Sequence, residues 1–138
     1  MADANRLMRA AGLSDCELSL TLTGDRAIRT LNRKYRGIDA PTDVLSFSQI
    51  ESAGAPPPKP QAIRNCAGVP LGDVVISIDT AIRQAREYGV APQTRLRTLL
   101  VHGFLHLLGY DHERSAAEAR RMFTRERALL EKMRRAAR

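Results

Sequence analysis

The chain has 138 residues, of which 43% are hydrophobic and 27% charged, as is typical of one globular domain. No apolar run is long enough to span a membrane, and the N-terminus lacks the apolar core of a secretory signal. The net charge of +7 favours a polyanionic partner. We therefore expect one cytoplasmic domain over residues 1–138 and no membrane partner.

Cysteine and aromatic residues are few. Cys16 and Cys66 form no CxxC pair, and without an export signal we expect both to be free thiols. The chain has three Tyr, three Phe and no Trp, so a dedicated base-stacking sheet is not expected. Contacts with a polyanion should therefore be mainly to phosphates.

Hydrophobic periodicity predicts a helix, a strand, a second helix, two strands and then three helices. Their predicted ranges are 3–12, 17–23, 26–36, 43–48, 72–78, 79–89, 92–109 and 115–133. Asp25 and Asp79 are the expected caps of the second and third helices. This order is typical of a single-domain α+β fold in which helices pack on a small mixed β-sheet.

The amino-acid composition of three segments predicts where each of them lies in the fold. The strand over 72–78 is continuously apolar, so we expect it at the centre of the sheet. The helix over 93–108 is apolar on nearly every side and should be the buried central helix. Residues 49–70 contain four closely spaced prolines and are predicted to form a long loop that is either flexible or functional.

All three histidines of the chain lie in the segment HGFLHLLGYDH, at His102, His106 and His112. Two histidines four residues apart share one face of a helix, and a turn at Gly109 with positive φ would bring the third beside them. A buried structural role explains a lone histidine well but not three at this spacing. Three imidazoles leave a fourth tetrahedral position open, as in catalytic zinc sites, so we expect one zinc ion per chain on the central helix.

Two other interpretations of this segment stay open. If Cys66 or Asp111 supplied a fourth ligand, the metal would be structural and the protein a non-catalytic factor associated with RNA or the ribosome. The spacing is also that of metzincin peptidases, which carry a glutamate base directly after the first histidine. Gly103 stands there, and we expect a side chain at this position to lie near the metal. The missing base weakens the peptidase interpretation, and the positive charge favours a phosphodiester target.

Three motifs together resemble the YbeY family, the bacterial metal-dependent endoribonucleases of ribosomal RNA maturation. They are HGFLHLLGYDH, LNRKYRGIDAPTDVLSFS (Leu31 to Ser48) and LGDVVIS (Leu71 to Ser77), and they occur in family order. The resemblance extends from about Leu18 to Met133. It implies an α+β layer with a small mixed sheet, in agreement with the predicted elements.

The resemblance also implies roles for individual residues. Zinc would be bound by His102, His106 and His112, and Arg36 would be a catalytic residue that contacts the substrate. We expect His102, like Arg36, to be a catalytic residue. The implied activity is cleavage of single-stranded RNA, in maturation of the 3′ end of the small-subunit ribosomal RNA and in ribosome quality control. The implied partners are thus ribosomal RNA and the small ribosomal subunit, and not DNA. The nucleophile that attacks the phosphorus stays open between metal-bound water and the ribose 2′-OH.

The chain departs from the family pattern at three places. The family usually has a strand before the first helix, for which this chain begins too late, so we expect a sheet one strand shorter or a truncated start. Ser48 stands where the family generally has proline, which we expect to loosen the end of the strand. The proline-rich loop over 50–70 is longer than usual.

Polar residues near the motifs have two possible roles. The planar guanidinium of Arg36 suits the transition state of a phosphodiester, although a cation at a helix end is also ordinary. Four aspartates could each orient an imidazole or stabilise a turn, namely Asp39, Asp43, Asp73 and Asp111. Phe104 is expected to pack in the core.

Overall fold

The computed structural model describes residues 2–49, 70–113 and 115–136 and has the predicted α+β fold. The elements, in chain order, are α1 (Ala2–Ala10), β1 (Glu17–Thr23), α2 (Asp25–Arg36), β2 (Val44–Ser48), β3 (Pro70–Ser77), α3 (Ile78–Tyr88), α4 (Pro92–Leu107) and α5 (Ala116–Ala136). All eight predicted elements are present, with their ends displaced by a few residues. Most of the predicted proline-rich loop lies outside the described residues.

The sheet of the described residues has three strands in the order β1-β3-β2. β1 runs parallel to β3, and β2 runs antiparallel to it. Val74 and Ile76 of β3 belong to the main hydrophobic core, whereas Val75 packs in a smaller cluster with Ile28 of α2. β3 is therefore central and buried on both faces, which explains its continuous apolar sequence.

Helix α4 is the buried central helix that the sequence predicts. It packs against β2 and β3 and contacts α3 and α5. Phe104 is fully buried in the main core, as expected. The buried residues of α4 are Leu99, Leu100, Val101, Gly103, Phe104, Leu105 and Leu107.

Gly103 allows α4 to lie unusually close to the sheet. A Cβ atom at this position would be 2.8 Å from Cγ1 of Val74 and 3.0 Å from Cγ2 of Val44. Both neighbours are β-branched strand residues with few alternative rotamers. The interface between α4 and the sheet therefore has room for hydrogen alone at position 103.

Two serine hydroxyls of β2 bind the backbone of α4. Ser46 Oγ donates to the Gly103 carbonyl at 2.9 Å, and Ser48 Oγ donates to the Leu107 carbonyl at 3.3 Å. Ser46 and Ser48 are two residues apart on the strand, a distance of about 6.8 Å. The carbonyls that they bind are four residues apart on the helix, a distance of about 6 Å. Because the two distances are similar, each hydroxyl can reach one carbonyl. Ser48 also pairs with Gly72 in the sheet. The expectation that Ser48 loosens the strand end is therefore wrong, because its hydroxyl binds the strand to the helix.

The N-termini of α2 and α3 are joined through two carboxylates. Asp79 accepts the backbone N–H of Asp25 at 2.9 Å, and so caps α2 and not its own helix. The Asp25 carboxylate accepts hydrogen bonds from Ser77, Thr80 and Arg83 at 2.6–2.7 Å, and these donors, Ser77 first, lower its pKa. Each of the two expected cap residues thus bonds to the region of the other helix, whereas the N-cap residues are Gly24 for α2 and Ser77 for α3.

Cys16 is disulfide-bonded, so the expectation of a free thiol was wrong for this residue. Cys66 lies outside the described residues. In the sheet Glu17 is paired with Pro70, so Cys16 directly precedes a residue that lies beside the first residue of β3. Sequence separation alone does not show this proximity. No helix in the described ranges is both long and apolar enough to cross a bilayer.

The close contact at Gly103 generates a stability prediction. Alanine is normally favoured over glycine inside a helix by roughly 0.5–1 kcal/mol, but its Cβ here would overlap Val74. We expect Gly103→Ala to lower the free energy of unfolding by about 1–3 kcal/mol, measured by urea denaturation. Gln93→Ala, at an exposed position of the same helix, is the control and should not destabilise the protein. Equal stability of Gly103→Ala and the parent chain would contradict the close packing.

Candidate metal centre

The end of α4 brings the three histidines together. His102 and His106 lie one turn apart on the helix, and Gly109 then adopts a φ of +98°. The Gly109 N–H donates to the His106 carbonyl and the Tyr110 N–H to the Leu105 carbonyl, each at 3.1 Å, which is the Schellman pattern of a helix end. This turn reverses the chain and places His112 beside the other two imidazoles.

The geometry of the three imidazoles suits a metal ion. Nε2 of His102 and Nε2 of His106 are 3.2 Å apart, and one nitrogen from each histidine lies within 4.8 Å of the others. Tetrahedral zinc with Zn–N bonds of 2.0–2.1 Å separates its ligand nitrogens by about 3.3 Å. The donor set therefore fits a metal ion, and the three histidines are able to hold one.

The protonation state of His106 also suits a ligand. Burial above all, together with the neighbouring His102 and His112, lowers the pKa of His106 to about 4. An imidazole with this pKa is neutral at neutral pH and has a free lone pair. Metal binding at His106 therefore does not require the loss of a proton near pH 7.

A carboxylate that the sequence analysis missed lies behind His102. Glu126 of α5 places Oε1 3.8 Å from Nδ1 of His102, and its side chain is only 17% exposed. This distance is too long for a direct hydrogen bond, but a carboxylate beside Nδ1 favours a proton there and leaves Nε2 free for a metal. The signal was present in the sequence, since Glu126 lies on the apolar stripe of α5 between Met122 and Leu129.

Each of the four aspartates considered as imidazole partners has another hydrogen-bond or ion-pair partner, although the charge of Asp111 also acts on His106 and raises its pKa. Asp39 pairs with Arg29 at 2.9 Å, and Asp73 accepts from Gln49 at 3.2 Å. Asp111 lines the cleft and accepts the N–H of Glu113 at 2.8 Å, as a turn residue does. Asp43 accepts from the N–H of Val44 and from Gln84, with Arg95 at 3.6 Å. These contacts favour the turn and structural roles for the aspartates.

The histidines open onto a cleft of about 730 Å³, and Arg36 lines the same cleft. Arg36 is the last residue of α2, which ends at Gly37. Its side chain is exposed and, within the described part of the chain, forms no hydrogen bond or ion pair. The structure therefore brings to the cleft of the three histidines a guanidinium that has no partner among the described residues.

Gly103 does not face this cleft. Its missing side chain would point at Val74 and Val44 of the sheet, so the expectation that a side chain there lies near the metal was wrong. A glutamate at this position would disrupt core packing instead of standing beside the imidazoles. Among residues 2–49, 70–113 and 115–136, no cysteine or carboxylate joins the three histidines as a further ligand.

Comparison with known proteins gives the same assignment as the motifs. The family described as "Endoribonuclease YbeY" matches residues 4–134. The chain belongs to the YbeY family. The match includes α2, both motif-bearing strands, α4 and nearly all of α5, so it contains every residue of the cleft described above.

Two relatives named Endoribonuclease YbeY are similar over more than four fifths of their own length. The protein of Moorella thermoacetica is 48% identical, over 94% of this chain and 84% of its own. That of Geobacter sulfurreducens is 50% identical, over 93% and 82%. A solution structure from Thermotoga maritima matches with a TM-score of 0.63 and 25% identity, over 95% of this chain and 78% of its own.

Removal of one histidine should abolish stoichiometric metal binding. His106→Ala leaves two imidazoles, which hold zinc poorly. We expect elemental analysis to find one zinc per chain in the parent protein and far less than one in the variant. Circular dichroism would check that the variant is folded. One zinc per folded chain of His106→Ala would show that the ligand set is wrong.

The contact between Glu126 and His102 predicts a smaller effect on metal affinity. Glu126→Gln removes the charge behind Nδ1 and should weaken zinc binding by about tenfold, as loss of such outer partners commonly does. Competition with a chromophoric chelator would measure the dissociation constant. Glu87→Gln removes the same charge from an exposed position of α3 and is the matched control. Equal affinities for the two variants would contradict a role for Glu126.

Proposed function

We propose that this chain is a zinc-dependent endoribonuclease that cleaves single-stranded RNA. In this proposal it acts in the cytoplasm, in maturation of the 3′ end of the small-subunit ribosomal RNA and in ribosome quality control. Its partners are then ribosomal RNA and the small ribosomal subunit. Membership of the YbeY family supports the reaction class, since the relatives are named endoribonucleases.

The convergence of three histidine nitrogens at a cleft that Arg36 also lines is the observation that carries this proposal. Zinc held by His102, His106 and His112 would supply a Lewis acid for phosphoryl oxygens. Glu126 would orient His102 from behind. Among the described residues that line the cleft, Arg36 is the only lysine or arginine.

Arg36 suits the stabilisation of a phosphodiester transition state. A guanidinium can donate two parallel hydrogen bonds to phosphate oxygens and stays charged at every relevant pH. Because Arg36 has no partner within the described residues, binding a phosphate would not break an existing ion pair. Its contact should strengthen as negative charge builds on the phosphate, which lowers the barrier to cleavage.

Two observations weigh against the alternative functions. A non-catalytic factor with a structural metal requires a fourth protein ligand, and no cysteine or carboxylate of the described residues belongs to the group of three histidines. The carboxylate of Glu113, an exposed residue that lines the cleft, lies 3.9 Å from Nε2 of His112. Cys66, one of the candidates, lies outside the described residues. A metzincin peptidase requires a glutamate after the first histidine, and that position holds Gly103, packed against the sheet.

The substrate class can be tested directly. We expect the zinc-loaded protein to cleave an unstructured RNA, to cleave the same RNA annealed to its complement more slowly, and to leave casein intact. Duplex RNA should be poorer because paired phosphates cannot bend freely into the cleft. RNA binding should weaken as salt rises, since phosphate contacts release counterions. Metal-dependent cleavage of casein with intact RNA would support the peptidase instead.

Arg36→Lys should keep the fold and the zinc but reduce turnover on RNA by at least about tenfold, since an ammonium lacks the planar fork. We expect kcat to fall more than KM rises, because the contact strengthens in the transition state. Arg33→Lys is the matched control, since Arg33 is exposed on the same turn of α2 but does not line the cleft. Equal kcat values for both variants would assign Arg36 a structural role.

A further inference from the structure

Tyr35 is a large aromatic side chain that the proposed reaction leaves without a role. It is 57% exposed, precedes Arg36 in the chain and lines the same cleft as the three histidines. Most exposed aromatic residues on a protein surface need no explanation. Tyr35 differs because its ring contacts a second aromatic ring and has cations as neighbours.

Phe47 of β2 holds the Tyr35 ring. The two ring centroids are 5.1 Å apart with an angle of 65° between the planes, which is a favourable edge-to-face contact. Phe47 itself packs against the small core cluster that contains Ile28, Leu45 and Val75. The orientation of Tyr35 is therefore coupled to the core, and a ligand that binds the ring does not have to immobilise it first.

Cations lie on both sides of Tyr35 in the sequence. Nζ of Lys34 is 5.2 Å from the centroid of the ring, and Arg36 lines the cleft directly after it. A ligand that satisfies all three side chains needs a flat ring and negative charge close to it. An unpaired nucleotide has both, whereas an apolar peptide would fit the ring and leave the two cations without partners.

We propose that Tyr35, held by Phe47 and flanked by Lys34 and Arg36, is a base-stacking subsite for one nucleotide of a single-stranded RNA bound in the metal cleft. This inference rests on the proposed function and adds a specificity-determining contact to it. In a duplex both faces of each base are covered by neighbouring bases, so the subsite selects unpaired RNA. Every base has a π face, so the subsite tolerates different sequences.

The absence of tryptophan from the chain allows a direct measurement. Tyr35→Trp introduces a single fluorescent indole at the subsite. The zinc-loaded variant is titrated with a 2′-O-methyl oligouridylate and with the same sugar–phosphate backbone without bases. Stacking predicts that the base-bearing oligomer quenches the indole and binds about tenfold more tightly than the base-free one. Equal binding and equal quenching by both oligomers would overturn the proposal, because the subsite would then recognise phosphate alone.

Tyr88 provides a matched control. It is 59% exposed and has the guanidinium of Arg95 5.0 Å from its ring centroid, but it does not line the cleft. Tyr88→Trp therefore places an indole in a similarly exposed position beside a cation. Its emission should not distinguish the two oligomers. The same base-dependent quenching at both positions would overturn the proposal, because stacking would then not be specific to Tyr35.

Steady-state kinetics on a cleavable single-stranded RNA gives an independent test. Tyr35→Leu removes the π face and should raise KM by about 5- to 10-fold, with a smaller effect on kcat. Tyr35→Phe keeps the ring and should recover most of the affinity that Tyr35→Leu loses. An unchanged KM for Tyr35→Leu, with RNA still cleaved, would overturn the subsite and leave the proposed function intact. Base-dependent quenching without any RNA cleavage by the parent chain would support the subsite and overturn the proposed reaction.

Discussion

The contact between helix α4 and the strands β2 and β3 is the constraint on which the candidate site depends. At Gly103 the helix is so close to Val74 and Val44 that a methyl group does not fit between them. The hydroxyls of Ser46 and Ser48 bind carbonyls of the same helix one turn apart. These contacts fix the helix in both its rotation and its distance from the sheet. The backbone positions of His102 and His106 on α4 are therefore fixed relative to the sheet.

The other two residues of the site, Arg36 and Glu126, lie on helices other than α4. Arg36 is at the end of α2, whose start is joined to α3 through Asp25 and Asp79. Glu126 comes from α5 and approaches His102 from the side away from the cleft. The result is a cluster of three imidazoles with a carboxylate behind it and a guanidinium on the cleft. The carboxylate favours a cation bound by the imidazoles, and the guanidinium favours an anionic substrate in the cleft.

The family assignment and the geometry support different parts of the functional argument. Similarity to proteins named endoribonucleases supports the reaction class, whereas the distances between the histidine nitrogens support a metal as its cofactor. Neither bears on whether the bound RNA is paired or unpaired. The exposed ring of Tyr35 bears on that question, because stacking requires a base that is free of a partner.

The sequence by itself determined the helices and strands and identified the three histidines as candidate metal ligands. Apolar periodicity is a local property, so it predicted all eight helices and strands and the central position of β3. The arrangement of the three histidines is also local. One helical turn brings His102 and His106 together, and the turn at Gly109 brings His112 beside them. The family motifs added Arg36, which spacing alone does not connect with the histidines.

Only the tertiary structure decided how separate segments meet. It joined Asp25 to α3 and Asp79 to α2, paired Cys16 in a disulfide, and turned Gly103 towards the sheet and away from the cleft. It also placed Glu126 behind His102, more than twenty residues along the chain. These contacts depend on how helices and strands are rotated and spaced in the packed core. Propensity and periodicity contain no information about those distances, because they describe each element without its neighbours.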